Sequence, residues 1–476
     1  MSRTRPDLIL FMSSLSARTQ FITQNEAHID TLPFDGITVN IPAGWSAMSP
    51  GSTVTRADLM TWLEPLRDFN QGRDNWLTIE VDDPGDVFSN VAWARVVQNW
   101  KLMAEVAHDM GFDGILFDNE EYQGHWQNWP EDYPPDVVAR GLAAYQDQTA
   151  LRGRQIAEAV ASVWPDAKIT FAHGPYISVQ QDPGAPTQTG DPDQYDLSGA
   201  FFTGFVEGAG PRMHMVDGGE LYSLRTPADF AAFYDYRSHV LPGQFTWDVD
   251  ADVIANWASR VDQTSIVYTD EYPPGVYLTP QTMITTLLNA FDHSDGPVYL
   301  YTDSNHFDWL TPGQLPAAWL NAARRAVWLA DHTVDGTAAN DRLEGGAAAN
   351  RLMGYAGNDR LIGNAGADWL EGRLGNDTLW GGTGRDNIIG GAGNDRLYGG
   401  ADDDRLTGGA GADVFVLRRH MGADRVMDFN PTLDRIDAPD GARLTAVAGG
   451  VQVTLGDASL LLVGLHATDI AHITII

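Results

Sequence analysis

Eight aspartates recur at nine-residue intervals in the last third of the chain and could bind metal ions. They are Asp341, Asp359, Asp368, Asp377, Asp386, Asp395, Asp404 and Asp413. Asn350 takes the one position of this phase without an aspartate, and apolar residues from Leu343 to Phe415 form a second phase. The intervening glycines allow positive φ and close approach of backbone carbonyls to an ion. The pattern predicts six-residue turns and three-residue strands, and all-oxygen turns of this kind suit several structural Ca²⁺ ions.

The nine-residue unit at 354–362, Gly-Tyr-Ala-Gly-Asn-Asp-Arg-Leu-Ile, resembles the repeat of the RTX calcium-binding proteins. A flexible glycine-rich linker would have no reason to keep aspartate and leucine in fixed phase. The resemblance implies a parallel β-roll over residues 333–416 that folds when it reaches calcium outside the cell. It also implies a C-terminal β cap with an uncleaved secretion signal over residues 417–476, and the type I secretion machinery as a partner.

A second group of carboxylates follows short apolar segments in residues 1–332. Those predicted to be catalytic are Asp118, Glu120, Glu220 and Glu271. Cleavage of a glycosidic bond needs such carboxylates in one cavity, because one donates a proton while another stays ionised. Side chains near them are predicted to bind substrate, since aromatic rings pack on the C–H faces of sugars. These are Trp126, Trp129, His173, Asp217, Tyr222 and Asp270.

Eight strand-like segments alternate with amphipathic helical segments before the repeats. They are Leu8–Met12, Gly36–Asn40, Trp76–Val81, Gly114–Asp118, Lys168–His173, His214–Asp217, Ser265–Asp270 and Pro297–Thr302. Leu197–Glu207 fits a strand or a helix, and we assign it to a helix because the strand count then stays at eight. The alternation predicts an α/β fold, a (β/α)8 TIM barrel over residues 1–332 that forms the catalytic domain. Its active site is expected at the C-terminal ends of the strands.

The fourth predicted strand resembles the D-G-x-D-x-D-x-E motif of family 18 glycoside hydrolases. The matching residues run from Asp113 to Glu120, with Leu116 at the position of the middle aspartate. The resemblance implies that Glu120 is the general acid and that Asp118 orients a substrate N-acetyl group, which acts as the internal nucleophile. Leu116 departs from the motif two residues before that aspartate, which leaves the N-acetyl-assisted mechanism open.

The same strand end also resembles the retaining clan A glycosidases. Asn119 and Glu120, together with Glu271 after the seventh strand, match positions that hold the acid/base and the nucleophile in that clan. Glu220, after the sixth strand, is a third candidate partner for Glu120. The sequence therefore assigns Glu120 a central role and leaves its partner open.

Composition and missing motifs exclude several classes of function. The formal net charge of −34 argues against nucleic acid and anionic membranes as partners, and the absence of cysteine excludes disulfides. Neither His-Glu-x-x-His nor Gly-x-Ser-x-Gly occurs, which argues against a zinc protease and a lipase. The N-terminal apolar run is too short for a signal peptide, and no membrane insertion is expected.

Together these observations predict a secreted, extracellular glycoside hydrolase that cleaves a polysaccharide or oligosaccharide. No cofactor is expected for catalysis, and calcium is expected to stabilise the roll. The alternative is a non-catalytic carbohydrate-binding or surface-associated RTX protein, which would keep the aromatic residues but would not need acid/base carboxylates on several strands.

Overall fold

The computed structural model describes twelve segments of the chain. They are residues 5–12, 19–41, 47–49, 51–70, 72–80, 86–118, 140–172, 197–220, 227–245, 248–268, 279–302 and 317–476. These residues form two compact units, Arg5–Val327 and Trp328–Ile476.

The first unit contains a closed barrel of eight parallel strands in chain order, in which the first strand pairs with the last. The strands are β1 (Leu8–Met12), β2 (Gly36–Asn40), β3 (Trp76–Glu80), β4 (Gly114–Asp118), β5 (Lys168–Phe171), β6 (His214–Glu220), β7 (Val261–Tyr268) and β8 (Val298–Thr302). The predicted (β/α)8 barrel is confirmed. β7 begins four residues before its predicted start, because its first half contains the polar residues Asp262, Gln263 and Thr264, which hid the strand pattern.

Helices follow the barrel strands in the order that a β/α repeat requires. Those described are α1 (Thr19–Ile29), α2 (Arg56–Leu63), α3 (Asn90–Asp109), α4 (Leu142–Ala161), α5 (Ser198–Gly208), α6 (Pro227–Asp235), α7 (Ala251–Ala255), α8 (Trp257–Arg260), α9 (Pro280–Asp292) and α10 (Ala317–Asp331). Short 3-10 turns cover Glu64–Leu66 and Leu241–Gln244, and a π turn covers Tyr236–Val240.

The ambiguous segment predicted as a helix is confirmed as α5. This helix packs closely on α4, because a Cβ at Gly204 would lie 1.9 Å from the carbonyl oxygen of Ala150. Phe201 and Phe205 of α5 in turn pack against Phe171 of β5. Phe171 therefore points outward from the barrel, towards the helices.

Large side chains fill the barrel interior below its mouth. Trp76 and Tyr299 meet edge to face and share a buried cluster with Leu116. The Tyr299 hydroxyl also lies 2.9 Å from the Thr170 hydroxyl. Gly114 makes room for the Trp76 ring, which a Cβ would approach to 2.3 Å. The interior is thus packed, and chemistry is restricted to the rims.

The second unit is a β-roll of two sheets. Seven strands form one sheet, in the order β10 (Arg342–Glu344), β12 (Arg360–Ala365), β14 (Thr378–Thr383), β16 (Arg396–Ala401), β18 (Val414–Val416), β20 (Arg435–Asp437) and β24 (Thr474–Ile475). Nine form the other, in the order β21 (Arg443–Val447), β22 (Gly450–Leu455), β23 (Ala458–Val463), β19 (Ala423–Val426), β17 (Arg405–Ala410), β15 (Asn387–Ala392), β13 (Trp369–Leu374), β11 (Arg351–Met353) and β9 (Thr333–Asp335).

Successive strands from β9 to β18 alternate between the two sheets, so each of them pairs in parallel with the strand 18 residues away in this range. Leu361 pairs with Leu379 in one sheet, and Leu370 pairs with Ile388 in the other. The apolar phase forms a continuous buried row between the sheets. Strands β12 to β17 are six residues long rather than three, because pairing continues into the glycine turns.

A β cap closes the C-terminal end of the second unit. Strands β21, β22 and β23 form antiparallel hairpins, and a 3-10 turn covers Ala467–His472. Strands thus lie within residues 417–476, as expected for a β cap. Among the residues that the structure describes, no helix combines the length and apolar character that a membrane crossing needs.

Candidate functional site

Three polar side chains meet at the C-terminal rim of the barrel. Asn40, Glu80 and Asp118 are the last residues of β2, β3 and β4. Glu80 and Asp118 are register partners on neighbouring strands, and Asn40 Nδ2 donates a hydrogen bond of 2.9 Å to Glu80 Oε1. Since alternate residues of a strand share one face, Glu80 lies on the interior face with Trp76, and Asp118 lies there with Leu116. A carboxyl pair therefore occupies the barrel mouth.

Burial, together with the negative charge of Asp118, raises the pKa of Glu80 to about 8. Glu80 is therefore protonated at neutral pH. A protonated carboxyl can donate a hydrogen bond, whereas an ionised one only accepts. This rim thus contains a carboxyl that can donate a proton at pH 7.

Glu80 and Asn40 were missed from the sequence. Both are the last or next-to-last residues of predicted strands, whereas the predicted site residues come from the ends of other strands and the segments that follow them. Asp118 stood in the same position on the fourth strand. A list of the polar residues at the C-terminal end of every predicted strand would have included Asn40, Glu80 and Asp118.

Most of the predicted active-site residues lie outside the described part of the chain. They are Glu120, Trp126, Trp129, His173, Tyr222, Asp270 and Glu271. Glu220 is the last residue of β6, where its backbone pairs with Ile266 of β7. The structure thus brings Asp118 and the backbone of Glu220 to the rim that the prediction specified.

Asp217, predicted to bind substrate, is not brought to the barrel mouth. It is the register partner of the outward-pointing Phe171 and is completely buried on the helix side of β6. Arg237 from the π turn donates hydrogen bonds to the backbone carbonyls of Asp217 and Thr264, at 2.9 and 2.8 Å. Its Nη1 lies 3.7 Å from Asp217 Oδ1. Burial raises the pKa of Asp217 to about 6 against the opposing effect of Arg237, as expected for a structural ion pair.

Carboxylates also cluster at the opposite, N-terminal end of the barrel. Asp7, Asp74 and Asp113 each place a carboxylate oxygen within 4.8 Å of the other two. Lys168 Nζ lies 2.6 Å from Asp113 and supplies a positive charge at this cluster. Burial raises the pKa of Asp74 to about 6, and the charge of Asp7 adds to the effect. The ammonium group of Lys168 offsets part of this negative charge, and residues at the N-terminal end of a TIM barrel generally serve stability.

The aspartates of the roll form two stacked columns. In one column, Oδ1 of each aspartate accepts a hydrogen bond from the backbone N–H of the residue 18 positions earlier. The distances are 2.7 Å from Asp359 to Asp377, 2.8 Å from Asp377 to Asp395 and 2.9 Å from Asp395 to Asp413. Asp359 thus stacks with Asp377 rather than with Asp368, and an ion shared between their turns stays a prediction.

The Oδ2 atoms of the column aspartates are suited to binding cations. Within the described chain, several Oδ2 atoms are buried and make no hydrogen bond, namely those of Asp359, Asp377, Asp395, Asp404, Asp413 and Asp424. Burial raises the pKa of Asp395 to about 7 and that of Asp404 to about 8. Buried carboxylates without a counter-charge are costly, and a cation bound between the turns supplies that charge.

Two aspartates of the columns, Asp424 and Asp434, lie outside the nine-residue phase. Asp404 N–H donates to Asp424 Oδ1, and Asp413 N–H donates to Asp434 Oδ1, both at 3.0 Å. Their spacings of 20 and 21 residues include short insertions that break the phase. An Asp-Arg-apolar signature, shared with Asp395, would have identified both. At the other end, Asp341 Oδ2 accepts a hydrogen bond of 2.7 Å from the N–H of Thr337, so this predicted ligand has a protein partner.

Replacing Gly390 with alanine is expected to weaken calcium binding. The new Cβ would lie 2.4 Å from Asp395 Oδ2 and 2.6 Å from the carbonyl oxygen of Gly408. Both oxygens belong to the turns between which a cation is expected to bind. Overpacking costs about 1–3 kcal/mol, so the calcium midpoint of roll folding should rise by up to roughly 5- to 150-fold. Gly346→Ala is the matched control, because its Cβ would meet only Asn350 Oδ1 at 3.8 Å. Equal midpoints for the two variants in a calcium titration by circular dichroism would contradict this placement.

Comparison with known protein families agrees with the geometry of the second unit. The RTX calcium-binding nonapeptide repeat matches in four overlapping copies, at residues 333–361, 344–379, 353–388 and 380–415. The C-terminal segment carries RTX calcium-binding repeats. Such repeats are typical of proteins exported by type I secretion.

Solved structures similar to the chain include glycoside hydrolases at low identity. A GH18 chitinase from Pseudoalteromonas aurantia is 15% identical, with 64% of this chain and 97% of that chain covered and a TM-score of 0.34. Endo-glycoceramidase II from Rhodococcus sp. is 14% identical, with 67% and 78% covered and a TM-score of 0.38.

The AlgE6R3 subunit of the Azotobacter vinelandii mannuronan C5-epimerase is 23% identical, with 30% of this chain and 80% of that chain covered and a TM-score of 0.13. No curated protein matched the chain.

Proposed function

We propose that the barrel is a glycoside hydrolase that acts on a polysaccharide or oligosaccharide. The carboxyl pair Glu80 and Asp118 at the C-terminal rim is the observation that carries the proposal. Glycosidases need neighbouring carboxyl groups whose surroundings keep one protonated and another ionised, and the raised pKa of Glu80 beside Asp118 supports that division.

Glu120 is the proposed general acid. It follows the last residue of β4 by two positions, which supports a place at the rim that contains Asp118. Its partner is Glu271 if the enzyme retains configuration through a glycosyl-enzyme intermediate, or Glu220 as an alternative carboxylate on β6. Asp118 is the partner if a substrate N-acetyl group acts as the nucleophile. Trp126, Trp129, His173, Tyr222 and Asp270 are proposed to contact the sugar.

The proposed role of the roll is to support export and folding outside the cell. RTX repeats support the type I secretion machinery as the export partner and an extracellular location. Calcium would be held by the carboxylates of the two columns and would supply the positive charge that their buried oxygens lack. Residues 417–476 are proposed to contain the secretion signal next to the β cap.

A substrate panel tests the proposed activity. The full chain, in calcium, is incubated with neutral, acidic and N-acetylated polysaccharides and with aryl glycosides, and release of reducing ends or of the aryl group is followed. Hydrolysis of at least one substrate class is expected. Binding of a glycan without hydrolysis would support the carbohydrate-binding alternative instead.

A chain that ends at Asp331 is expected to keep its catalytic activity and lose its secretion. The compact unit Arg5–Val327 contains every proposed catalytic residue, and α10 ends at Asp331. Its kcat/KM should therefore equal that of the full chain on the same substrate. A soluble truncated chain with normal helical circular dichroism and no activity would show that the roll is needed to form the site.

A further inference from the structure

Glu80 is the protonated member of the carboxyl pair at the barrel mouth, and the assignments of Glu120 and its partner leave its own role undefined. It is half-buried, and its Oε1 atom is fixed by the 2.9 Å hydrogen bond from Asn40. Among the described residues, its Oε2 atom has no hydrogen-bond partner. The register partner on the adjacent strand is Asp118, the residue next but one to the proposed acid Glu120.

We propose that Glu80 is a positioning residue that shares a proton with Asp118 and thereby holds the Asp118 carboxylate in place for catalysis. This inference rests on the proposed glycosidase function and adds a residue to that site. The shared proton lies between two carboxyl groups on neighbouring strands, whose backbones are about 4.8 Å apart in a sheet.

The surroundings of the pair favour a single shared proton. Asn40 on β2 is neutral, Thr78 precedes Glu80 on the same face of β3, and apolar Leu116 precedes Asp118 on β4. Within the described residues, Asp118 is the charged group whose field acts on Glu80. Two adjacent carboxylates cannot both ionise without repulsion, so one retains its proton.

The pH dependence follows from this arrangement. Burial and the Asp118 charge raise the pKa of Glu80 to about 8, above its ordinary value of 4.5. The proton is therefore present at neutral pH and is lost as the pH rises through about 8. Above that pH, Glu80 repels Asp118, and activity should fall with an alkaline limb near pH 8.

Substitutions at Glu80 distinguish the effect of its hydrogen bonds from the effect of its ionisation. Glutamine at this position stays neutral, can accept from Asn40 and can donate an N–H to Asp118. Glu80→Gln should therefore remove the alkaline limb and retain a higher kcat than Glu80→Ala. Glu80→Ala should lower kcat on the order of 10- to 100-fold, because it removes a hydrogen bond to a charged group. The control is Glu105→Gln, which changes an exposed carboxylate paired with Arg56 on α2. It should leave kcat and the alkaline limb unchanged.

A spectroscopic measurement tests the proton independently of activity. Infrared difference spectra of the full chain, wild type minus Glu80→Gln at pH 7, should show the C=O stretch of a protonated carboxyl, which disappears above pH 8. Absence of this band, or an unchanged alkaline limb in an active Glu80→Gln variant, would overturn the inference. The band in a wild type that hydrolyses no glycan would support the shared proton and overturn the proposed function instead.

Discussion

Removal of calcium is expected to unfold the β-roll while leaving the barrel folded. The Oδ2 atoms of Asp377, Asp395 and Asp413 are buried in one column without a hydrogen bond from any described residue. Stacked carboxylates repel one another unless a cation lies between them, so binding and folding are coupled. Far-ultraviolet circular dichroism of the full chain in EDTA should lose β signal and retain helical signal, and calcium should restore the β signal.

Magnesium provides the control for specificity. It prefers an octahedral site and gives up its water reluctantly, so an equal concentration should not restore the β signal. Asp440→Asn, at an exposed aspartate of the cap, should keep the wild-type calcium midpoint, whereas Asp395→Asn should raise it. Identical spectra in EDTA and in calcium would contradict the account of the columns.

Replacement of Glu120 by glutamine is expected to abolish most of the catalytic activity. Glutamine keeps the shape and the hydrogen-bonding capacity of the side chain but lacks the proton that the leaving oxygen requires. The loss of general acid catalysis should lower kcat on natural substrates on the order of 10² to 10⁴. Initial rates for wild type and variant on the most reactive glycan of the panel give this ratio.

Azide rescue identifies the partner of Glu120. A small anion can replace a missing nucleophile, so azide should restore activity to either Glu271→Ala or Glu220→Ala if that residue forms a glycosyl-enzyme intermediate. Rescue of neither variant would favour assistance by Asp118 or an inverting mechanism. Each result assigns the second carboxylate without changing the role of Glu120.

The roll could be predicted almost residue by residue, because each nine-residue unit repeats the same local physics. Asp359 and Leu361 are buried, and so are the residues at the same two positions of the six units that follow. Asp424 and Asp434 could not be found by phase, because insertions shift them while the parallel pairing still places them in the columns. Local repetition thus predicted the core of the roll but not its junction with the cap.

The barrel strands were also predictable, but the direction of single side chains was not. A shift of one residue moves a strand side chain to the opposite face of the sheet. Asp217 ends a predicted strand yet lies on the helix side with Arg237, while Glu80 lies inside a predicted strand yet faces the barrel mouth. The raised pKa of Glu80 depends on its burial and on Asp118 from another strand, which no local pattern of the sequence contains.

The most direct test of the central claim compares Glu120→Gln on two substrates of one sugar, a natural glycan and a glycoside with an activated aryl leaving group. An activated leaving group needs little protonation, so a general acid at Glu120 predicts a large loss of kcat on the glycan and a much smaller loss on the aryl glycoside. Equal losses on both substrates, or wild-type rates on both, would contradict the assignment of Glu120 as the general acid of a glycoside hydrolase.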